Sequence, residues 1–257
     1  MNRNTHAEYL HNRIKESIFF DIDKVKDQST DLPHMLPSEQ EFNSFMDAHG
    51  VSNTDQIIVY DSHGFMGACR LLWTLDASGL KDWEKITNLV ESGNPAKPIP
   101  TTGYQSRINS NLITTKPQIL EAIKTLQHST GLKGPQIIDA RPAPRFDGKE
   151  QEPRPGLTCG HMPFSINVPF TELFTISEFG GAKCKSKTEL DAVFNTPERM
   201  IDLHTRPIIT TCGSGITAAC LYAALSRAGA EHVSVYDGSW SEYGLDKSNP
   251  LATTTQA

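Results

Sequence analysis

The strongest chemical signal in the chain is a cysteine at the end of an apolar run, followed by two glycines: Ile208-Ile209-Thr210-Thr211-Cys212-Gly213-Ser214-Gly215-Ile216-Thr217. The order reads as a strand, a tight loop and a helix start. Two glycines let the backbone curl so that successive N–H groups point inward. The following helix adds its own unpaired N–H groups and the positive end of its dipole. Together these make a concave nest for an anion. A cysteine at the mouth of such a nest should react as a thiolate, and the same nest would hold a persulfide anion after sulfur capture. A buried cysteine is often inert, but the strand, the spaced glycines and the Ala-rich helix favour a nucleophile. Cys220 reads the other way: it shares an apolar helix face with Ile216 and Ala224, so it belongs to the core. The loop also disfavours phosphate-ester hydrolysis. That chemistry needs an arginine at the far end of the loop to hold the equatorial oxygens, and here the loop ends in Ile216-Thr217.

The elements that must position this loop alternate along the second half. Thr115 can cap a helix with Ile119, Leu120, Ile123 and Leu126 on one face. Gln136 to Asp139 and Ser165 to Val168 read as short strands. Ser186 and Glu189 form a capping box opening a helix through Leu190, Val193 and Phe194. Pro207 to Thr211 is the strand ending in Cys212, Thr217 to Ala228 is helical, and Val233 to Tyr236 is a last strand. Strands and helices in alternation predict a parallel sheet with helices on its faces.

The first half repeats the theme. Ser17 to Asp21 reads as a strand, Glu39 to His49 as a helix and Gln56 to Asp61 as a buried strand. A glycine-containing loop and an apolar helix through Leu71, Leu72 and Leu75 follow. The two halves could be diverged copies of one unit, but only the second carries a cysteine after its strand. Between them, three prolines at 95, 98 and 100 interrupt any regular element. The division is therefore residues 1–93, a linker over 94–111, and residues 112–257.

With 257 residues, 24 basic and 30 acidic, the chain has a formal charge of −6. This mild acidic excess gives no reason to expect nucleic acid or lipid as a partner, while a local positive pocket for a small anion remains open. Five cysteines at irregular spacing, with no C-x-x-C pair, argue against a disulfide framework or a zinc site and for a reducing compartment. No apolar run approaches a membrane span, and the N-terminus has no signal-peptide core. The cytoplasm is the expected compartment, with the mitochondrion as the alternative.

The loop Cys212 to Thr217, with Tyr236-Asp237-Gly238-Ser239-Trp240-Ser241-Glu242 downstream, resembles the two-domain rhodanese-type enzymes, on the side of the family that uses 3-mercaptopyruvate. Thiosulfate-specific members usually carry basic residues after the cysteine, whereas this loop is small and neutral. Asp139-Ala140-Arg141, Arg145-Phe146-Asp147-Gly148, Glu152-Pro153-Arg154 and Gly160-His161-Met162-Pro163 match the family in order and spacing. So do Phe19 to Asp23 and Pro33-His34-Met35-Leu36-Pro37.

The resemblance implies an α/β fold of two rhodanese-like domains, each a mainly parallel sheet flanked by helices. It implies that Cys212 takes the sulfane sulfur of 3-mercaptopyruvate, releases pyruvate and passes the sulfur to a thiol such as thioredoxin or a sulfur-relay protein. No cofactor or metal is implied, the persulfide being the only intermediate. Arg145 and Arg154 match the pair that grips the substrate's carboxylate and keto oxygens, a task suited to guanidinium forks. Gly213, Gly215, Ile216 and Thr217 complete the substrate loop. Ser214, His34 and Asp23 match a relay that activates the nucleophile and handles the leaving enolate. His161 is expected to brace a loop. Asp61, at the first domain's loop entry, offers no thiol there, so that domain should be non-catalytic. Two readings compete with the leading one: a thiosulfate sulfurtransferase, and a non-catalytic relay or binding module.

The chain departs from the family pattern in its first domain. An early strand with a Trp-bearing loop has no counterpart, and the stretch from Trp73 to Trp83 is too short to hold the usual Val-x-Leu-Asp-Gly strand. The first domain should therefore be short of two strands, leaving sheet edges and apolar helix faces uncovered.

Overall fold

A computed structural model describes residues 4–62, 64–78, 90–129, 134–176 and 182–253. His63 and the segment from Gly79 to Trp83 lie outside the described residues. The first half contains α1 (Thr5–His11), β1 (Arg13–Ile14), α2 (Glu39–Ala48), α3 (Met66–Ala77) and β2 (Val90–Glu91). The second half runs β3 (Ile113–Thr114), α4 (Lys116–His128), β4 (Gln136–Asp139), α5 (Ala143–Phe146), β5 (Ile166–Asn167), β6 (Phe174–Ile176) and β7 (Ala182–Cys184). It continues with α6 (Lys187–Phe194), β8 (Ile208–Thr211), α7 (Ile216–Ala228), β9 (Val233–Tyr236) and α8 (Ser239–Tyr243).

The second half folds as its alternating signals predict. Five strands form a sheet in the order β3-β9-β8-β4-β5, and every pairing is parallel. β4 and β8 are buried along their whole length, as suits strands covered on both faces. β8 sits at the centre, so Cys212 leaves the carboxyl end of the central strand, where open α/β sheets hold their ligands. The helix starts obey local chemistry: Gln118 accepts the N–H and hydroxyl of Thr115, and Ser186 and Glu189 form a capping box. β6 and β7 add an antiparallel hairpin on the margin.

The first half corrects the sequence reading. Ser17 to Asp21 and Gln56 to Asp61 are not strands, and Gln56 and Tyr60 are exposed. The only ladder among the described residues of this half joins β1 to β2, antiparallel. The physical reason is that a strand exists only where a neighbour supplies complementary N–H and C=O groups, and an apolar run cannot supply them. The apolar side chains still serve packing. Ile57, Val59 and Phe20 lie against a small core of Phe42, Met46, Leu75 and Tyr104.

The linker is not a free tether. Tyr104 is buried in that small core. Its backbone N–H donates to Asp47 Oδ1 at 3.0 Å, Ser106 N to Asn43 Oδ1 at 2.8 Å, and Asn109 N to the Ala77 carbonyl at 2.7 Å. The main join between the halves is α3 on α7. Cys69, Trp73 and Ala77 of α3 enter the same core as Cys212, Ala218, Ala219, Cys220 and Ala224. Alanines on α7 let the two helices approach closely, and Cys220 is core as expected. Trp73 is fully buried, and its indole N–H donates to the Leu112 carbonyl at 3.1 Å. Among the described residues, no helix is long and apolar enough to cross a membrane.

Because one core spans both halves, a cavity at its centre should be felt by the whole molecule. We predict that Trp73→Ala lowers unfolding free energy by about 3–5 kcal/mol. Denaturant titration followed by circular dichroism would measure it; a loss below about 1 kcal/mol would contradict the shared core.

Candidate active site

The backbone around Cys212 is tied outward at its carbonyls and inward at its amides. Trp240 N donates to the Cys212 carbonyl at 2.9 Å, and Ser241 N and Oγ donate to the Gly213 carbonyl at 2.9 and 2.6 Å. With those oxygens held by the start of α8, the N–H groups of Ser214 and Gly215 turn to the sulfur. They reach Cys212 Sγ at 3.4 and 3.1 Å. Ser239, held at φ 49°, accepts Cys212 N at 3.2 Å and donates to the Tyr236 carbonyl at 2.8 Å. The downstream Tyr236 to Glu242 motif is thus a clamp on the loop, a role the sequence reading did not give it.

Gly215 is the cap residue of α7 with φ 82°. A Cβ there would stand 2.8 Å from Arg70 Nη1 and 2.9 Å from Asp237 Oδ1. Ile216 and Thr217 form the first turn of α7, half-buried. Cys212 itself is only 2% exposed, at the bottom of its loop. Donors converging on a sulfur in such a setting suit a sulfur that carries negative charge.

The arginines differ from each other. Arg145, in α5, forms an ion pair with Glu152, and its guanidinium lies over the loop: a Cβ on Gly213 would come 3.0 Å from Arg145 Nη2. Glu152 is buried and also accepts from Arg141 Nη1 at 2.8 Å. Arg141 pairs with Asp139 at 2.7 Å and stacks over Trp240 at 4.2 Å. Asp139, Arg141, Glu152 and Arg145 form a compensated chain of alternating charge ending at the loop. Arg154 is half-buried and, among the described residues, has neither an ion-pair nor a hydrogen-bond partner. The role of Glu152 was legible only as part of a motif; its bridging of two arginines was not.

His34 sits in the Pro33 to Pro37 turn at φ 60°. Its Nδ1 lies 2.9 Å from Asp23 Oδ1, without the alignment of a hydrogen bond. Burial lowers its pKa from the ordinary histidine value. Asp23 opposes the shift, while Arg70, Arg154 and Lys26 add to it. The ring is therefore biased toward its neutral form, able to take a proton but a weaker base than an ordinary imidazole. The charge of second-half Arg154 reaches first-half His34. Among the described residues, no hydrogen bond joins His34 to Ser214; the two segments meet through Arg70, which donates to the carbonyls of both His34 and Gly215. His161 has the bracing place expected of it. Its Nδ1 contacts the Phe146 carbonyl at 2.8 Å and its ring stacks on Phe146. Asp61 takes the N–H groups of Phe65 and Ala68 at 3.0 and 2.8 Å, so the equivalent nest in the first half is filled by its own carboxylate. Among the described residues, no cluster of His, Cys, Asp or Glu could hold a metal ion.

Residues 121–246 match the rhodanese-like domain. A probable 3-mercaptopyruvate sulfurtransferase of Schizosaccharomyces pombe is 37% identical over 264 residues, covering 98% of this chain and 86% of that protein. The mitochondrial thiosulfate/3-mercaptopyruvate sulfurtransferase 1 of Arabidopsis thaliana is 32% identical, covering 97% and 70%. The crystal structure of the 3-mercaptopyruvate sulfurtransferase SseA from Escherichia coli superposes with a TM-score of 0.76 at 34% identity, covering 93% and 87%.

The two loop glycines should not tolerate substitution equally. An alanine at 213 meets only one side-chain atom, Arg145 Nη2 at 3.0 Å, which a shift of a few tenths of an ångström relieves, whereas one at 215 meets a buried ion pair and holds a left-handed backbone, a strain of roughly 1–3 kcal/mol. We predict that Gly215→Ala lowers the melting temperature and slows alkylation of Cys212, while Gly213→Ala keeps near wild-type stability. Equal melting temperatures for Gly215→Ala and wild type would refute this.

Proposed function

The chain belongs to the two-domain rhodanese family of sulfurtransferases, and on that premise we propose that it moves the sulfane sulfur of 3-mercaptopyruvate through Cys212 to a thiol acceptor. The observation that carries the reading is the sulfur of Cys212 held by two backbone N–H groups, with the guanidinium of Arg145 over the adjacent glycine. Arg154 and Arg145 would receive the carboxylate and keto oxygens. Arg154, without an ion-pair partner among the described residues, would be the main attraction for the anion, and Arg145 is held in place by Glu152.

The Cys212 thiolate attacks the substrate's sulfur, and a new S–S bond forms as the C–S bond breaks. The electron pair stays on carbon as the enolate of pyruvate, which takes a proton to become pyruvate. His34, largely neutral at neutral pH, can accept the thiol proton at the start and return one to the enolate, with Ser214 as the link once substrate draws the two side chains within hydrogen-bond reach and Asp23 realigns on the ring. An incoming thiolate then attacks the outer sulfur of the persulfide and frees Cys212. Thioredoxin, another small thiol or a sulfur-relay protein would each satisfy that step. No cofactor takes part.

Two alternatives are distinguishable. A thiosulfate sulfurtransferase would favour a dianionic donor, and a comparison of rates with the two donors separates it. A non-catalytic relay or docking module would take no sulfur from either. We predict that incubation with 3-mercaptopyruvate adds one sulfur to Cys212 by intact-mass and peptide mapping, and that Cys212→Ser abolishes pyruvate and sulfide release in the presence of a reductant. Normal turnover by that variant would end the proposal, and a folded wild type that gains no sulfur would favour the docking module. Arg145→Ala and Arg154→Ala should each weaken apparent substrate affinity by roughly 1.5–3 kcal/mol. Unchanged affinity in both would remove them from the substrate site.

A further inference from the structure

Between the two halves lies an ion pair that the sulfur-transfer reading does not use. Arg70, on α3, and Asp237, after β9, have side chains only 2% and 4% exposed, and their charged atoms are 2.6 Å apart. The guanidinium carbon lies over the Trp73 ring, 4.4 Å from its centre. Its fork works in two directions. Nη1 donates to Asp237 Oδ1 and, at 3.5 Å, to the Gly215 carbonyl; Nη2 donates to the His34 carbonyl. The second oxygen of Asp237 accepts the N–H of Leu36 at 2.7 Å. The turn carrying His34 is therefore fastened on both sides of Met35, once by each member of the pair. His34 holds φ 60°, a region that a non-glycine residue occupies only where its surroundings hold it there.

We propose that Arg70 and Asp237 form an ionic latch that sets the His34 turn against the Cys212 loop, making them positioning residues for sulfur transfer. The proposal rests on the reading of Cys212 and His34 as parts of one site. A lysine could not replace Arg70, because one ammonium on a flexible stem cannot reach the Asp237 side and the His34 side with fixed geometry. An ordinary interface ion pair would hold the halves together without bearing on His34. The latch differs because its two members bracket Met35, with Arg70 on the His34 carbonyl itself, and Arg70 also donates to the sulfur loop at Gly215.

Two measurements test this. The first is the rate at which 3-mercaptopyruvate loads sulfur onto Cys212 in wild type, Arg70→Lys, Asp237→Asn, His34→Asn and the double variant Arg70→Lys/His34→Asn, each checked for a cooperative melting transition. We expect each single variant to slow loading about tenfold or more, and Arg70→Lys to add less than about twofold once His34 is gone, because residues that act as a unit are not additive. Fully multiplicative losses, or wild-type loading in both Arg70→Lys and Asp237→Asn, would overturn the latch.

The second measurement is the titration of the His34 ring by NMR. Asp23, Arg70, Arg154 and Lys26 are the charged groups acting on it, and burial is the largest influence. Arg70→Lys keeps the charge but releases the turn, so His34 should titrate at higher pH than in wild type. A titration unchanged in Arg70→Lys would overturn the proposal. This readout needs no donor. If wild type takes no sulfur from 3-mercaptopyruvate, the functional reading fails while the titration still decides the latch.

Discussion

A guanidinium removed from water must find acceptors for its donors or destabilise the fold that buries it. Arg70 finds them in both halves of the molecule at once: the Asp237 carboxylate, the Gly215 carbonyl and the His34 carbonyl. Losing one partner of such a pair costs about 3–5 kcal/mol, mostly because the other charge stays buried. That asymmetry makes the relative placement of the halves specific. Apolar packing of α3 on α7 brings them together, but Cys69, Trp73 and Ala77 would tolerate small slides that the ion pair does not. The constraint matters more here because the first half has little backbone ladder of its own. Its described strands are β1 and β2, so its segments lean on side-chain bonds and on the second half for their position.

The two halves solve one local problem in two ways. In each, a loop ends in a residue with left-handed backbone that caps a helix: Phe65 at φ 86° before α3, and Gly215 at φ 82° before α7. Each loop turns amide groups inward. In the first half the Asp61 carboxylate takes them and fills the nest. In the second half the acceptor is the sulfur of Cys212, an atom that can gain and lose a second sulfur while the amides stay where they are. The nest is preorganised because α8 holds the loop carbonyls and Ser239 holds the Cys212 amide. A persulfide formed there needs little reorganisation of its donors, which is the setting in which such hydrogen bonds count most.

Much of this was legible in residues whose effects are local. The Thr115 cap and the capping box of Ser186 with Glu189 marked helix starts, and the apolar run before Cys212 marked the central strand. Ser17 to Asp21 and Gln56 to Asp61 were misread because an apolar run reports packing and says nothing of a ladder partner. The linker looked free because its prolines exclude regular structure, yet Asp47, Asn43 and Asn53 reach its amides one by one. Arg70 was passed over although its setting carried a signal, since a charged residue within Met66-Gly67-Ala68-Cys69-Arg70-Leu71-Leu72-Trp73 must find a partner once buried. The partner stands 167 residues away, and no local pattern names it.

Charge accounting at the loop sharpens the substrate argument. Asp139, Arg141, Glu152 and Arg145 alternate in sign and cancel, so Arg145 reaches the loop with most of its field spent on Glu152. Arg154 is uncompensated among the described residues. The loop residues themselves are neutral, and the nearby His34 is biased by burial toward its neutral form. Two guanidiniums, one uncompensated among the described residues and one partly neutralised, would suit one carboxylate beside a polar carbonyl better than a compact dianion. A dianion would leave charge unpaired as it is stripped of water, and that penalty grows as the site becomes more enclosed. Cys212 is only 2% exposed. On the proposed reading, the same burial that would protect a persulfide from solvent would also disfavour the more heavily hydrated donor.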